Sequence, residues 1–254
     1  MRAVVALARR ALRNLARRPQ FLAPLVLFPT IILAVNVGGL ERTTTLPGFP
    51  RVDGFLDFQL AAAITQSLLL GGVGAGIAVA LDIEGGFFDR LAASPAPRVA
   101  IVLGRVLAAS VIAAVQVVYF LVLGMIFGAE IKGGALGALS VLAIGVVAGT
   151  GFGALGVMIA LRARNASTVQ GIFPLVLVVL FVSSAFFPAN LLSAPADDVA
   201  AYNPLSYIAE GMREPIAFGN ALGPVLEGLA AAAGVALVAI GLSVLALQGR
   251  LREA

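Results

Sequence analysis

The sequence predicts an all-α integral membrane protein with six transmembrane helices, and three observations lead to this prediction. Hydrophobic residues make up 60% of the 254 residues and charged residues only 12%, against about 45–50% and about 25% in ordinary soluble domains. Runs without charge recur along the chain, and a helix needs about 20 apolar residues to cross a hydrocarbon core about 30 Å thick. Lys and Arg concentrate in alternate connections between these runs.

Residues 1–18 predict an amphipathic helix that lies in the membrane interface. At about 100° per residue, the arginines of this segment share an arc of about 100° and apolar side chains fill the opposite face. The arginines are Arg2, Arg9, Arg10, Arg13 and Arg17, and the apolar residues are Val4, Leu7, Ala8, Ala11, Leu12 and Leu15. We expect the arginines to face anionic membrane lipids. A disordered basic tail is the alternative.

Six spans follow within one transmembrane domain that takes in the whole chain, residues 1–254. Their predicted bounds are 21–40, 58–81, 103–128, 135–161, 168–187 and 225–248. Pro24, Pro29 and Pro174 fall inside spans, where the missing N–H and the ring of proline open the helical hydrogen-bond ladder.

The basic residues predict the orientation of the chain. With residues 1–20 inside the cell, 13 of the 17 Lys and Arg residues lie on the inner side and four lie outside, namely Arg42, Arg51, Lys132 and Arg213. Such an asymmetry places both termini in the cytoplasm. We therefore expect a multi-pass protein of a bacterial-type inner (plasma) membrane.

The outer segment 188–220, between the fifth and sixth spans, holds apolar pieces that are too short to span. Pro188, Pro195, Pro204 and Pro215 interrupt it. The pieces are therefore surface helices or re-entrant segments, and non-helical backbone at membrane depth must be covered by protein or face water.

Several kinds of chemistry are excluded by composition. The chain has no His and no Cys, so thiol nucleophiles, Ser-His-Asp triads, disulfides and His/Cys metal sites cannot form, and we expect neither a catalytic nor a metal site. The basic residues form no soluble patch interleaved with aromatics, which argues against a nucleic-acid partner.

Glycine motifs predict helix packing rather than nucleotide binding. Residues 151–156 match G-x-G-x-x-G, but no strand precedes them and no acidic residue follows at the required distance. The phosphate-binding motif that ends in Gly-Lys-Ser/Thr is absent. Glycines four residues apart instead favour close contact between helices. They are Gly72, Gly76, Gly145, Gly149 and Gly153.

The cores of the predicted spans carry uncharged polar residues and no ionisable residue at mid-depth, where ion-coupled carriers usually keep one. The candidates for a substrate path are Asn36, Gln66, Gln116, Gln170, Ser183 and Ser184. These groups could line a path for an amphiphile or hold helices together by hydrogen bonds.

The inner segment 82–98 predicts a short amphipathic helix on the membrane face. Gly86-Phe87-Phe88-Asp89-Arg90-Leu91 places aromatic and aliphatic side chains beside a charged pair, just before two prolines. We expect the apolar side of this helix to dock a cytoplasmic partner. A plain solvated turn is the alternative.

These features resemble the permease subunits of ABC-2 type ABC exporters, close in character to daunorubicin-resistance permeases, over essentially the whole chain. The resemblance rests on three stretches. They are the pattern of Glu84, Gly85, Gly86, Asp89, Arg90, Leu91, Ser94, Pro95 and Arg98, then Phe186-Phe187-Pro188, and then Tyr202-Asn203-Pro204-Leu205-Ser206-Tyr207. The sequence departs from the family at Gly86-Phe87-Phe88, where many members have a more polar stretch.

The resemblance implies a cytoplasmic coupling helix between the second and third spans and short re-entrant helices between the fifth and sixth. It also implies that two permease chains pair, as a homodimer or with a sibling chain, and that a cytoplasmic dimer of ABC ATPase subunits docks beneath them. ATP and Mg would bind to the ATPase, and no cofactor would bind to this chain. The residues that would contact the ATPase are Glu84, Gly85, Gly86, Phe87, Phe88, Asp89, Arg90 and Leu91.

The expected function is that of the permease subunit, itself not an enzyme, of an ATP-driven exporter of a hydrophobic or amphiphilic drug, antibiotic or lipid. A chain without a phosphate cradle or a mid-membrane titratable group has no evident energy source, so uphill transport would draw on a partner. The absence of Trp and the presence of only three Tyr disfavour a sugar polymer as cargo. An ion-coupled secondary carrier or channel is the first alternative, and a membrane anchor that moves nothing is the second.

Overall fold

The computed structural model of the chain describes residues 2–17, 19–92, 97–219 and 221–252. Across these ranges the protein is helical and has no strand, which confirms the all-α prediction. Ser94 and Pro95 lie outside the described residues.

Eleven α-helices are formed by the described residues, with short 3-10 turns at Glu41–Thr45 and Ala189–Leu191 and one π-helical turn at Glu214–Phe218. The α-helices are α1 (Arg2–Ala16), α2 (Pro19–Leu40), α3 (Phe55–Glu84), α4 (Phe87–Ala92), α5 (Arg98–Ile126), α6 (Gly134–Ala163), α7 (Ala166–Gly171), α8 (Phe173–Phe181), α9 (Ala196–Tyr202), α10 (Pro204–Arg213) and α11 (Leu222–Arg252).

Five of these helices are long and apolar enough to cross a membrane, namely α2, α3, α5, α6 and α11. The segment predicted as the fifth span instead forms α7 and α8, an apolar stretch of 16 residues from Ala166 to Phe181. At 1.5 Å per residue this stretch is about 24 Å long, which is shorter than a hydrocarbon core of about 30 Å. The predicted fifth span, 168–187, and with it the count of six, therefore stays a prediction.

The break between α7 and α8 lies at Ile172, two residues before Pro174. Pro174 has no N–H to donate to the carbonyl of the preceding turn. The Ile172 N–H donates to the Val169 carbonyl, three residues back, at 3.3 Å, and the ladder resumes when Val176 donates to Ile172 at 3.2 Å. Pro24 and Pro29, in contrast, lie inside the continuous helix α2.

Helix α6 is the centre of the bundle, with its most extensive contacts to α11, α3 and α5. Gly145, Gly149 and Gly153 lie along its contact with α5, where an added Cβ at each glycine would overlap a side chain of that helix. The side chains are those of Val117, Ala113 and Ala109, respectively. Close packing of this kind brings the two backbones together, as in small-residue seams between membrane helices.

Helices α3 and α6 approach still more closely, because their backbones touch. A Cβ at Gly72 would lie 2.6 Å from the Phe152 carbonyl oxygen, and one at Gly76 would lie 2.7 Å from the carbonyl oxygen of Gly156. A Cβ at Gly156 would overlap the Gly72 carbonyl oxygen. The G-x-G-x-x-G residues 151–156 therefore lie within α6 and take part in its contact with α3.

The connections gather at two ends of the bundle. We call one the basic end, which carries α1, the α3–α5 connection with α4, the α6–α7 connection and the last turn of α11. The far end carries the other connections, where Lys132 pairs with Asp53 at 2.9 Å and Asn190 donates to the Gly48 carbonyl.

The segment predicted to be re-entrant contains a short buried helix, α10, at the far end. Leu205, Ile208, Ala209 and Met212 of this helix are buried. Asn203 starts the helix, since its side chain accepts a hydrogen bond from the Leu205 N–H at 3.0 Å and donates to the Val179 carbonyl at 2.8 Å. An Asn N-cap followed by Pro at the first helical position is a strong start signal.

Candidate functional site at the basic end

The short helix α4 is fixed to the bundle by Phe88. Gly86 has φ +65°, a left-handed conformation that glycine adopts at little cost, and it reverses the chain after α3. The Phe88 side chain is only 4% exposed and belongs to a core cluster with residues of α3, α5, α6 and α11. The Arg250 guanidinium of α11 lies 4.8 Å from the centre of the Phe88 ring, within reach of a cation–π interaction.

A second set of contacts ties α4 to α1, α3 and α5, and we call it the Asp82 cluster: Arg10, Asp82, Phe87 and Arg105. The Arg10 guanidinium lies 3.4 Å from the centre of the Phe87 ring, and its Nη1 is 3.1 Å from Asp82 Oδ2. Arg105 forms an ion pair with the same carboxylate. Burial lowers the pKa of the Arg10 guanidinium from its ordinary value.

Glu84, the last residue of α3, connects to α7. Its Oε1 accepts a hydrogen bond at 2.8 Å from the Ala166 N–H at the start of α7. Asn165 caps the same helix, since its Oδ1 accepts from the Thr168 N–H at 2.7 Å. A carboxylate is favourable beside a helix N-terminus because the unpaired N–H groups there carry partial positive charge.

The predicted coupling residues differ in their exposure. Part of the apolar side of α4 packs on the protein itself, since Phe88 is buried and the Arg10 guanidinium lies over the ring of the half-buried Phe87. Glu84, Gly85 and Arg90 lie at the surface, and Gly86 and Leu91 are half-buried. Asp89 belongs to α4, but its side chain lies outside the described part of the chain.

Sequence reasoning missed Asp82 and Arg105 and placed Arg10 among lipid headgroups. The structure turns Arg10 toward Asp82 instead, while Arg2, Arg9, Arg13 and Arg17 are exposed. A signal was present in the sequence, because Asp82 and Arg105 carry opposite charges at the ends of neighbouring apolar runs. Only their packing shows that they meet.

The polar residues predicted to line a substrate path lie in different surroundings. Gln116 is buried, and its Nε2 donates to the Ser67 carbonyl at 2.8 Å, while the Ser67 hydroxyl donates to the Leu25 carbonyl at 2.7 Å. These bonds link α5, α3 and α2. Gln66 is 1% exposed and neither its side-chain N nor its O has a hydrogen-bond partner. Asn36 is half-buried in α2, and Gln170 is exposed in α7.

Ser183 and Ser184 lie at the far end, around an arginine that sequence reasoning placed in an outer loop. Arg213 is 1% exposed. Its Nε donates to the Phe58 carbonyl at 3.1 Å and its Nη2 donates to the carbonyls of Ser184 and Ala185. Its Nη1 lies 2.6 Å from Glu210 Oε1, and its guanidinium lies 3.9 Å from the centre of the Phe58 ring.

Arg213 therefore joins α10, the start of α3 and the turn after α8. Ser184 adds a second bond to Glu210, at 2.9 Å from its Oγ. The role of this group is to hold the far end together. No cluster of three or more acidic side chains that could hold a metal ion occurs among the described residues.

The Asp82 cluster yields a prediction for the Asp82→Asn variant. The two arginines would then lose their shared carboxylate. The docking of α1 would weaken by about 1.5 kcal/mol, the lower end of the range for hydrogen bonds to charged groups, which is about a tenfold change in the docking equilibrium. We expect trypsin to cleave within α1 about tenfold faster, since the detached helix can unfold locally and offer the backbone beside its arginines to the protease. Cleavage is followed by mass spectrometry of the protein in detergent.

The matched control for that variant is Asp53→Asn. Asp53 pairs with Lys132 at the far end and is 71% exposed, so this change should leave cleavage within α1 unaffected. Equal cleavage rates for the two variants would show that the Asp82 cluster does not hold α1.

A bundle of long apolar helices with polar connections at its two ends defines a multi-pass membrane protein. The sequence model of the ABC-2 type transporter family matches residues 2–217, and the chain belongs to this family. It is similar to the probable doxorubicin resistance ABC transporter permease protein DrrC of Mycobacterium tuberculosis, from strain CDC 1551 / Oshkosh and from strain ATCC 25618 / H37Rv.

Each of these two relatives is 26% identical to this chain over 183 residues. The alignment covers 70% of this chain and 63% of each relative, so the chain spans less than two thirds of their length.

Proposed function

We propose that this chain is the transmembrane permease subunit of an ATP-driven ABC exporter, and that it moves a hydrophobic or amphiphilic substrate out of the cytoplasm or the inner leaflet. Membership of the ABC-2 family supports the transport role. The doxorubicin-resistance relatives and the largely aliphatic bundle support an amphiphilic cargo. The Lys/Arg distribution supports a cytoplasmic basic end.

The observation that carries the proposal is the attachment of α4 to several helices at the basic end. Through Phe87 and Phe88 this one short helix contacts Arg10 of α1 and Arg250 of α11, and the preceding Glu84 bonds to α7. A force applied to α4 would therefore reach several helices at once. Nucleotide-driven closure of an ATPase dimer beneath the basic end would supply such a force.

The surface available to the ATPase is the polar one, around Glu84, Gly85 and Arg90. Substitution of the two phenylalanines would disturb the bundle as well as any docking, because Phe88 is buried. The exposed Arg90 is the better probe, since reversing its charge changes the surface and leaves the core intact.

The test uses ABC ATPase subunits from the same cell, each co-expressed with the tagged chain and purified through the tag. The ATPase that co-purifies is reconstituted with the chain in liposomes, and ATP-dependent movement of an amphiphilic fluorescent dye is measured. We expect Arg90→Glu to abolish stimulation of ATP hydrolysis by the chain, whereas Arg51→Glu, in the exposed connection at the far end, should preserve it.

Two outcomes would contradict the proposal. Transport by the purified chain alone under an ion gradient, without nucleotide, would favour an ion-coupled carrier or channel. Co-purification with no ATPase, together with no dye movement, would favour a membrane anchor.

A further inference from the structure

A cavity of about 150 Å³ lies between α1, α2, α3 and α5 at the basic end. Six of the residues that line it on α3 and α5 are glycines or alanines. They are Gly71, Gly74, Ala75, Ala78, Ala108 and Ala109. Leu25 of α2 and Leu15 of α1 close the sides. Ile77, Leu81 and Ile112 add larger apolar side chains, so the interior offers a largely apolar surface.

The mouth of the cavity is charged and lies at the Asp82 cluster. Asp82, Arg105 and Asn14 line it. Because Arg10 and Arg105 share the carboxylate of Asp82, one of their two positive charges has no counter-charge among the side chains that the structure describes. Asn14 is exposed and follows Arg10 by four residues, so both lie on the same side of α1.

The end of the cavity opposite the mouth lies toward the middle of the bundle. Gly71 borders it, and a Cβ at Gly71 would lie 2.9 Å from Gln116 Oε1. From Gly71 to Asp82 the helix α3 rises about 16 Å at 1.5 Å per residue. This length is about half of a hydrocarbon core of about 30 Å. The cavity thus has a cationic mouth at one membrane surface and an apolar channel that ends near mid-depth.

We infer that this cavity binds an anionic phospholipid from the leaflet at the basic end. The phosphate accepts hydrogen bonds from Arg105 and Asn14 at the mouth, a pairing that arginine favours, and one acyl chain lies along the small residues of α3. A cavity of about 150 Å³ takes an apolar guest the size of benzene. Such a space holds one segment of a hydrocarbon chain, and a wide fused-ring compound does not fit. The site is thus a lipid site.

The test measures lipid immobilisation by the full chain in phosphatidylcholine vesicles with electron paramagnetic resonance. The vesicles contain a trace of spin-labelled phosphatidylglycerol or spin-labelled phosphatidylcholine, both labelled on the acyl chain. We expect the unchanged protein to restrict the motion of a larger fraction of phosphatidylglycerol than of phosphatidylcholine. Asn14→Glu places a carboxylate at the mouth and should abolish this excess.

The control for charge is Val5→Glu. Val5 is 58% exposed and lies nine residues before Asn14, on the opposite side of α1, so this variant should retain the excess. Ala78→Phe, which fills the channel, should also abolish it. Ala230→Phe on the exposed side of α11 should not.

The inference is overturned if both lipids are restricted equally by the unchanged protein, or if Asn14→Glu and Val5→Glu have the same effect. Displacement of phosphatidylglycerol by inorganic phosphate alone would also overturn it, because it would show an anion site that does not use the acyl chain. None of these results depends on ATP or on transport, so the inference and the proposed function can fail separately.

Discussion

Replacing Gly156 by Ala should lower the stability of the bundle by about 3 kcal/mol, the upper part of the range for overpacking a core. The added Cβ would overlap the carbonyl oxygen of Gly72 and lie 3.0 Å from the Gly76 nitrogen. Both are backbone atoms, so no change of rotamer relieves the overlap and α3 must move away from α6. The apparent Tm in detergent, followed by size-exclusion chromatography after heating, should fall by about 6–12 °C.

Gly241→Ala is the matched control for that change. Gly241 lies inside α11, and a Cβ there would have no neighbour within 4 Å. Since Ala is favoured over Gly in a helix interior by about 1 kcal/mol, this variant should be as stable as the parent or slightly more so. If Gly156→Ala behaved like Gly241→Ala, the close backbone contact between α3 and α6 would be refuted.

Replacing Arg213 by Met should cost about 3–5 kcal/mol, since each buried acceptor left without its donor costs about 1–3 kcal/mol. Three carbonyl groups would lose their donor, at Phe58, Ser184 and Ala185, and Glu210 would lose its counter-charge. We expect a large loss of monodisperse protein and a fall in apparent Tm of about 10 °C or more.

Two further variants separate the charge of Arg213 from its shape. Arg213→Lys keeps the charge but lacks the planar fork that reaches several carbonyls at once, so an intermediate Tm is expected. Arg42→Ala removes an exposed arginine at the same end and should change stability by less than about 0.5 kcal/mol. A Tm for Arg213→Met equal to that of Arg42→Ala would mean that the buried arginine contributes nothing to the fold.

Several features of the fold follow from local patterns in the sequence. Hydropathy and length predict the apolar helices α2, α3, α5, α6 and α11, because each satisfies its own backbone hydrogen bonds and needs only a long apolar run. The Asn203-Pro204 pair marks the start of α10 in the same local way. Pro174 indicates a break, and the structure places the break two residues before it.

The contacts within the candidate site could not be read from the sequence in the same way. Phe87 and Phe88 beside Asp89 and Arg90 have the pattern of a surface helix with a free apolar side, yet Phe88 is buried in the bundle. Charge and hydropathy show that a residue prefers an apolar or a polar neighbour. They do not show whether that neighbour is a partner protein or another part of the same chain.

The sequence by itself determined that the chain is helical, that it lies in a membrane, that it belongs with the ABC-2 permeases and that most of its positive charge gathers at one end. The tertiary structure alone decided which charges meet. Arg10 bonds to Asp82, which is 72 positions away in the sequence, and Arg213 bonds to the carbonyl of Phe58, which is 155 positions away. Helix formation depends on residues a few positions apart, whereas these pairs form only when helices that are distant in the sequence pack together, as α3 and α6 do through their glycines.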